Sequence, residues 1–470
     1  MISLAKREEN LAKNTLIYAI GSIGSKIVQI ILVPLYARVM TNSEFGTVDL
    51  MQAVVQLLLP IVALSIFESV FRYAMEKNYD RIGVLSVGIV VSLIGSLVMA
   101  GLAFAASAFM EPLYVWLVVM NTFVNVMWTL ISQYTRAIDR NVLFAVNNIL
   151  ITVLVLVFNV LFLVVFKMGV TGYMLGYTFA NLFSTLFLII FLKKDFRISF
   201  AGVNKKLVRE MLLFSLPLML NGICWWLSSF TDRVMIVSMI STAENGIYAA
   251  ASKIPHLLSV VVTIFYQAWQ ISANQEFGSE DVSKFYSDIY EKNSACTFLI
   301  SSALILFCRP VNTVFLGEQY KDAWILMPTL ILSTTFFSFA QFLIAIYSAN
   351  KKTKMALITN VVGMVSNIAI NAALIPLIGA LGAAIATAAS YLILWVIRIF
   401  DTRKIVKIDY RVKNISISMA IILLQTLLIC LDLDYIITYT ICGIGTLVLM
   451  VLYRDVLLSM VRFALKFVKR

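Results

Sequence analysis

Long apolar segments follow one another along almost the whole chain, separated only by short polar loops. About fourteen of them reach the roughly 20 apolar residues that a helix needs to cross a bilayer. A hydrophobic fraction of 61% agrees with that pattern. The sequence therefore predicts an all-α polytopic membrane protein. The predicted spans are Asn14–Val39, Thr47–Phe71, Ile82–Ala108, Leu113–Tyr134, Phe144–Phe166, Gly172–Leu192, Leu212–Ile240, Gly246–Ile271, Ser294–Cys308, Ala323–Ala345, Met355–Ile375, Gly379–Ile399, Ile415–Leu431 and Ile436–Tyr453.

Basic residues are distributed unevenly between the two sides of these spans. Thirty of the 37 lysines and arginines fall at the termini or in alternate loops, the last large group running from Arg398 to Lys413. Cytoplasmic loops carry an excess of lysine and arginine, so both termini are predicted to be cytoplasmic. The same rule accounts for the net charge of +12 without a nucleic-acid partner.

Two stretches of the chain resemble each other. The turn TNSEFG ends at Gly46 and the turn STAENG ends at Gly246, while Gly172 aligns with Gly382. The offsets of 200 and 210 residues predict two pseudo-symmetric six-helix lobes with a substrate site between them. The predicted division is an N-terminal lobe at 1–192, a cytoplasmic linker at 193–211, a C-terminal lobe at 212–404, two extra helices at 405–454 and an amphipathic cytoplasmic tail at 455–470.

Ionisable residues lie inside the apolar flanks of the segment 215–270, at Asp232, Arg233, Lys253 and His256, and Lys26 lies inside the first span. A charge at this depth costs about 3 kcal/mol on insertion scales, so such groups usually face a bundle interior or a wet cavity. The predicted cavity is net positive. It suits an anionic ligand, such as a diphosphate that accepts hydrogen bonds from several cations.

The candidate site residues fall into three sets. The candidate ligands of the anion are Lys26, Arg38, Arg233 and Lys253. The candidates for ion coupling are Asp232, His256 and Glu68. The candidates for stacking on a glycan are Trp225, Trp226, Tyr266 and Trp269.

Structural explanations remain open for most of these residues. Asp232 and Arg233 would also lock helices together, and Lys253 would also reach the interface. Glu68 lies four residues before Arg72, a spacing that favours an ion pair on one helix. The remaining candidates have equally simple alternatives: an interfacial anchor for Arg38, a hydrogen-bonded packing role for His256, and packing or an interfacial belt for the tryptophans.

Catalytic and metal-binding signatures do not emerge from the sequence. The five cysteines lie in or beside apolar segments without metal-like spacing, and no nucleophile triad, P-loop or carboxylate pair is recognisable. We therefore expect no metal and no cofactor, and a protein that is not an enzyme.

Three blocks of the sequence resemble the polysaccharide-transporter, or Wzx-type, flippases. They are NTLIYAIGSIGSKIVQIILVPLYARVMTNSEFGTVDL, FSLPLMLNGICWWLSSFTDRVMI with NGIYAAASKIPHLLSVVVTIFYQAWQ, and NIAINAALIPLIGALGAAIATAASY. The resemblance covers essentially the whole chain. It places the protein in the superfamily of MATE drug exporters and lipid II flippases.

The resemblance implies a fold of twelve core helices plus two more. It implies a substrate made of an oligosaccharide repeat unit on undecaprenyl diphosphate, turned from the inner to the outer leaflet by alternating access. It also implies coupling to a proton or sodium gradient, a bacterial cytoplasmic membrane location and association with the polysaccharide polymerase machinery. Lys26, Arg38, Arg233 and Lys253 match cationic or lumen-facing positions in these blocks.

Other functions stay open at this point. A MATE-type small-molecule exporter would usually carry a net-acidic cavity for cations. A lipid II or spore-cortex precursor flippase would recognise nearly the same head group. A membrane-embedded glycan polymerase would need catalytic groups near the outer face, where the predicted loops are short.

Overall fold

Helices form every regular element that the structure describes. In this computed structural model the described residues are 32, 34–76, 78–199, 203, 205–316, 320–350, 353–431 and 434–459. The helices are α1 Asn42–Val62, α2 Ile66–Met75, α3 Arg81–Ala106, α4 Pro112–Ala137, α5 Asn141–Asn159, α6 Gly169–Leu192, α7 Lys205–Met239, α8 Thr242–Ser252, α9 Pro255–Glu276, α10 Val282–Leu306, α11 Cys308–Phe315, α12 Ala323–Ala349, α13 Thr353–Thr402, α14 Val412–Cys430 and α15 Tyr435–Leu452.

The lengths and hydropathies of these helices are those of a membrane protein. Within the described part of the chain, nine helices are long and apolar enough to cross a bilayer, or up to eleven if each bent pair counts as one span. The second half of α13 follows a break at Ile378 and Gly379, so this helix contains two of the predicted spans. The predicted all-α, two-lobed membrane fold is confirmed. Most of the first predicted span and of the C-terminal tail lies outside the described residues.

The chain forms two compact units, Met1–Arg233 and Val234–Arg470. The domain boundaries predicted from the sequence remain a prediction. In the first unit, the segment after α6 is fastened to the helices by hydrogen bonds. Tyr134 donates to the carbonyl of Asp195 at 3.0 Å, and Ser69 donates to the carbonyl of Met211 at 2.6 Å.

Polar side chains join the helices of the second unit. The Gln425 amide on α14 donates to Ser302 on α10 at 2.8 Å and to the carbonyl of Cys442 on α15 at 2.9 Å. Small hydroxyl and amide groups of this kind hold membrane helices together, because apolar contacts alone give little preference over lipid. Buried polar contacts therefore attach the last two helices to α10.

The repeated turns begin corresponding helices in the two units. Thr41 and Glu44 form a capping box at the start of α1, and Ser241 accepts a hydrogen bond from the backbone of Glu244 at the start of α8. Such caps satisfy backbone N–H groups that a helix leaves free in its first turn. The sequence repeat is thus a repeat of helix N-termini.

Each repeated glutamate also reaches a glycine with positive φ in its own unit. Glu44 lies against Gly169, whose φ is 52°, and Glu244 lies against Gly379, whose φ is 59°. The Glu244 carboxylate accepts a hydrogen bond from the backbone N–H of Ala380 at 3.2 Å. It therefore caps a second helix start, at the break inside α13.

Candidate functional site

A buried ion pair joins α1 and α7 in the first unit. The Nε of Arg233 lies 2.5 Å from a carboxylate oxygen of Asp49, and the two side chains are 15% and 9% exposed. Asp49 follows the start of α1 by about 10 Å and Arg233 precedes the end of α7 by about 9 Å, at 1.5 Å per residue. The two residues therefore lie at similar distances from the ends of their helices.

Sequence reasoning missed Asp49 as a site residue. The signal was present, because Asp49, Gln52 and Gln56 lie on one face of α1 at spacings of 3 and 4 residues. What the sequence did not supply was the partner, which lies 184 positions away.

Tyrosines of α6 lie close to Asp49. The buried Tyr173 interacts electrostatically with Asp49, and its ring contacts those of Tyr36 at 5.0 Å and Tyr177 at 4.9 Å between centroids. Tyr173 therefore places one hydroxyl-bearing side chain on the α6 side of the ion pair.

Asp232 precedes Arg233 on α7 and is 3% exposed. Consecutive helical residues point about 100° apart, so the two side chains do not face each other. Asp232 has interactions of its own, as do Lys253 and His256.

The break between α8 and α9 changes the predicted geometry around Lys253. Ser252 ends α8 and Pro255 begins α9, with a bend of 50° between the two helices. The predicted span Gly246–Ile271 was a single continuous helix; that prediction is wrong, because Pro255 cannot continue the helical hydrogen bonding. Lys253 is half-buried in the break, and His256 is exposed in the first turn of α9.

Two other candidates lie elsewhere in the first unit. Arg38 is exposed in a helical stretch before α1. Glu68 is half-buried on α2, where it interacts electrostatically with Arg136. The predicted pair between Glu68 and Arg72 is wrong, because Arg72 pairs with Glu76 instead, at 3.5 Å.

Trp269 and Tyr266, two of the aromatic candidates, differ in how deeply they are buried. Trp269 is 2% exposed, its ring stacks on Phe342 at 4.4 Å, and its indole N–H donates to the Phe342 carbonyl at 3.0 Å. These are packing contacts of the second unit. Tyr266 is half-buried on α9.

Three predicted site residues lie wholly or partly outside the described part of the chain. Lys26 lies outside the described residues, and Trp225 and Trp226 lie on α7 with side chains outside that description. Of the candidate ligands of the anion, the structure places Arg233 in a buried pair with Asp49, Lys253 at a helix break and Arg38 on an exposed stretch. The roles assigned to all of these residues remain predictions.

Comparison with solved structures supports the same fold. The lipid II flippase MurJ in an inward closed conformation matches with a TM-score of 0.72 and 14% identity, over 94% of this chain and 100% of that one. An inward-facing multidrug resistance MATE family transporter of the MOP superfamily matches with a TM-score of 0.63 and 14% identity, over 81% and 97%. An outward-facing structure of such a transporter matches with a TM-score of 0.61 and 15% identity, over 83% and 95%.

Fold similarity at 14–15% sequence identity does not establish a family, so the family is decided by comparison with protein-family models. No curated protein sequence matches the chain. The MatE family model matches residues 217–373. The family model described as "Polysaccharide biosynthesis protein" matches residues 11–270, which is more than half of the 470 residues. The chain therefore belongs to the polysaccharide biosynthesis protein family.

Proposed function

We propose that this protein translocates undecaprenyl-diphosphate-linked oligosaccharide repeat units from the inner to the outer leaflet of a bacterial cytoplasmic membrane. The observation that carries the proposal is the guanidinium of Arg233, which is buried inside an apolar, membrane-spanning unit. Burying such a group is costly, and it is usually retained where a polar substrate has to be met. The family match over residues 11–270 favours a substrate of polysaccharide synthesis.

The chemistry of the cations suits the head group. A guanidinium presents a planar fork of donors that matches phosphate oxygens, and an ammonium adds a compact charge. In this proposal Arg233, Lys26 and Lys253 bind the diphosphate, and Arg38 contributes at the outer side. The candidates for glycan contacts remain Trp225, Trp226 and Tyr266, and Trp269 supports them from within the packed interior.

Ion coupling forms a further part of the proposal. A proton or a sodium ion at Asp232 would bias the equilibrium between facing states, with His256 and Glu68 as the other candidate groups. The ion must bind the two states with different affinity, because a ligand that binds both equally shifts nothing. Alternating access then brings the substrate site to each leaflet in turn.

Native mass spectrometry of the gently extracted protein tests the substrate class. We expect a co-purifying mass of an isoprenoid diphosphate bearing several sugars, and its loss in Arg233→Gln. The control is Arg72→Gln, since Arg72 lies on α2 in an ion pair with Glu76 and its side chain is 60% exposed. A wild-type protein that carries only bulk phospholipid, and that also fails to bind an added polyprenyl diphosphate, would contradict the proposal.

A small-molecule exporter is the second candidate, because the MatE model matches residues 217–373. Efflux of a cationic dye from liposomes containing the wild-type protein would favour it over the flippase. A bound precursor of the lipid II type would differ in mass from an oligosaccharide repeat unit, because it carries a peptide as well as sugars.

A further inference from the structure

The Asp49–Arg233 pair engages a guanidinium that the proposed function assigns to the substrate. Arg233 is the proposed ligand of an anionic head group, yet its guanidinium already contacts a carboxylate. A substrate diphosphate and Asp49 cannot both occupy the same face of this guanidinium.

We propose that Asp49 is an internal counter-anion, which holds Arg233 while the site is empty and gives way to the diphosphate of the substrate. This inference rests on the proposed function. Besides the residues that bind the substrate, it identifies Asp49 as a residue that competes with the substrate for Arg233.

Electrostatics explains why a counter-anion is needed. An uncompensated charge in a membrane interior is costly, and removing one member of a buried pair typically costs about 3–5 kcal/mol. Asp232 neighbours Arg233 on the same helix, and consecutive helical side chains do not face each other. Asp49 supplies the compensation from α1, at a matching distance from the helix end.

The surroundings of Asp49 allow the exchange. The two side chains keep 15% and 9% of their surface accessible, so the pair is not sealed. Tyr173 interacts electrostatically with Asp49 from α6. A hydroxyl on this side can donate to the carboxylate when the guanidinium turns to another anion. A diphosphate carries more charge than a carboxylate and offers more acceptor oxygens to the fork.

Binding of farnesyl diphosphate to the purified full chain tests the proposal, with farnesol as the uncharged control. We expect Asp49→Asn to bind the probe about tenfold more tightly than the wild type. This factor corresponds to Asp49 holding the guanidinium in about nine-tenths of the empty molecules, because removing that state makes all of the sites available instead of about one-tenth of them. Arg233→Gln should lose most of the binding. Glu280→Gln, at an exposed carboxylate between α9 and α10, is the matched control and should bind as the wild type does.

The possible results separate the two proposals. If Arg233→Gln loses binding while Asp49→Asn binds as the wild type or more weakly, the counter-anion is overturned and the proposed function stands. If the wild-type protein does not bind farnesyl diphosphate, or if Arg233→Gln binds it unchanged, the proposed role of Arg233 is itself overturned.

A second neutral variant, Asp49→Ser, serves as a control for misfolding, because its smaller side chain leaves room for water beside the guanidinium. Either variant that elutes as a monodisperse protein decides the binding test. If neither does, both are purified with farnesyl diphosphate present. Recovery of the monodisperse fraction by the probe, and not by farnesol, supports the proposal; no recovery overturns it.

Discussion

At the scale of single residues, Arg398 is the largest charged side chain that the described residues bury completely. Its guanidinium donates to the carbonyl of Ala340 at 2.7 Å, to the amide oxygen of Asn360 at 2.8 Å and to the hydroxyl of Thr359 at 3.2 Å. Arg398 was counted with the loop charges, whereas the structure places it inside α13. The residue lies in the last part of α13, where three neutral acceptors from two other stretches of helix surround it.

Replacing Arg398 by alanine should therefore destabilise the second unit. The change leaves a cavity and removes the donor of three acceptors, and a buried acceptor that is left unsatisfied costs about 1–3 kcal/mol. We expect a clear fall in the melting temperature of the detergent-solubilised protein. Arg403→Ala is the control, because Arg403 is exposed just after α13, and its melting temperature should stay near the wild-type value. Equal melting temperatures for the two variants would contradict the structural role of Arg398.

Gly379 is a second residue whose identity the backbone requires. Its φ of 59° and ψ of −140° lie in a region that side chains rarely adopt. A Cβ added at this position would lie 3.1 Å from a carboxylate oxygen of Glu244.

Gly379→Ala should accordingly cost about 1–3 kcal/mol of stability through backbone strain. The matched control is Gly443→Ala on α15, where an added Cβ meets nothing within 4 Å. Thermal unfolding of the two variants is the measurement. A Gly379→Ala protein as stable as Gly443→Ala would show that the break in α13 relaxes freely.

At the scale of elements, the repeated glutamates connect helices within each unit. Glu244 lies in the first turn of α8, where its own backbone N–H is capped by Ser241, and its side chain caps the helix start at Ala380. A carboxylate at a helix N-terminus is stabilising because the free N–H groups and the helix dipole favour negative charge there.

Glu244→Gln should loosen the second half of α13 at its start. The loss of a charged cap is worth about 0.5–2 kcal/mol. Hydrogen–deuterium exchange should become faster in the backbone around residues 380–383, while α14 and α15 keep their wild-type protection. Glu280→Gln serves again as the control, and faster exchange at 380–383 in that variant as well would argue against a specific cap.

At the scale of the whole molecule, the distribution of charge predicts the topology. Thirty basic residues at the termini and in alternate loops predict cytoplasmic termini, and the buried position of Arg398 removes only one of them from the count. The loop at 107–111 should then face outward, and the loop at 277–281 should face the cytoplasm.

Single cysteines in a background without the five native ones test this topology. A membrane-impermeant maleimide added to intact cells, or to spheroplasts if an outer membrane is present, should label Ala108→Cys and not Ser279→Cys, two positions that the structure leaves exposed. Both should be labelled after the membrane is permeabilised. The reverse pattern would invert the predicted orientation.

Much of the candidate site was visible in the sequence. Arg233 and Asp232 stood out because charges are rare inside apolar segments, and both lie on α7. The bend at Lys253 was missed because periodicity was read across Pro255 as if the helix continued. The alignment of the two turns, and of Gly172 with Gly382, did reveal a real correspondence. A Cβ added at Gly172 would lie 2.9 Å from the carbonyl oxygen of Phe162, and one added at Gly382 would lie 2.6 Å from that of Leu374.

The sequence by itself determined the all-α membrane class of this protein and the repeat of its two turns. Span length and hydropathy are properties of consecutive residues, so they can be read without knowing which helices meet. The tertiary structure alone decided that Arg233 meets Asp49, that Arg398 is buried and that Glu244 reaches Ala380. Those outcomes depend on which helix faces pack together between residues 38 to 184 positions apart, and no local pattern specifies them.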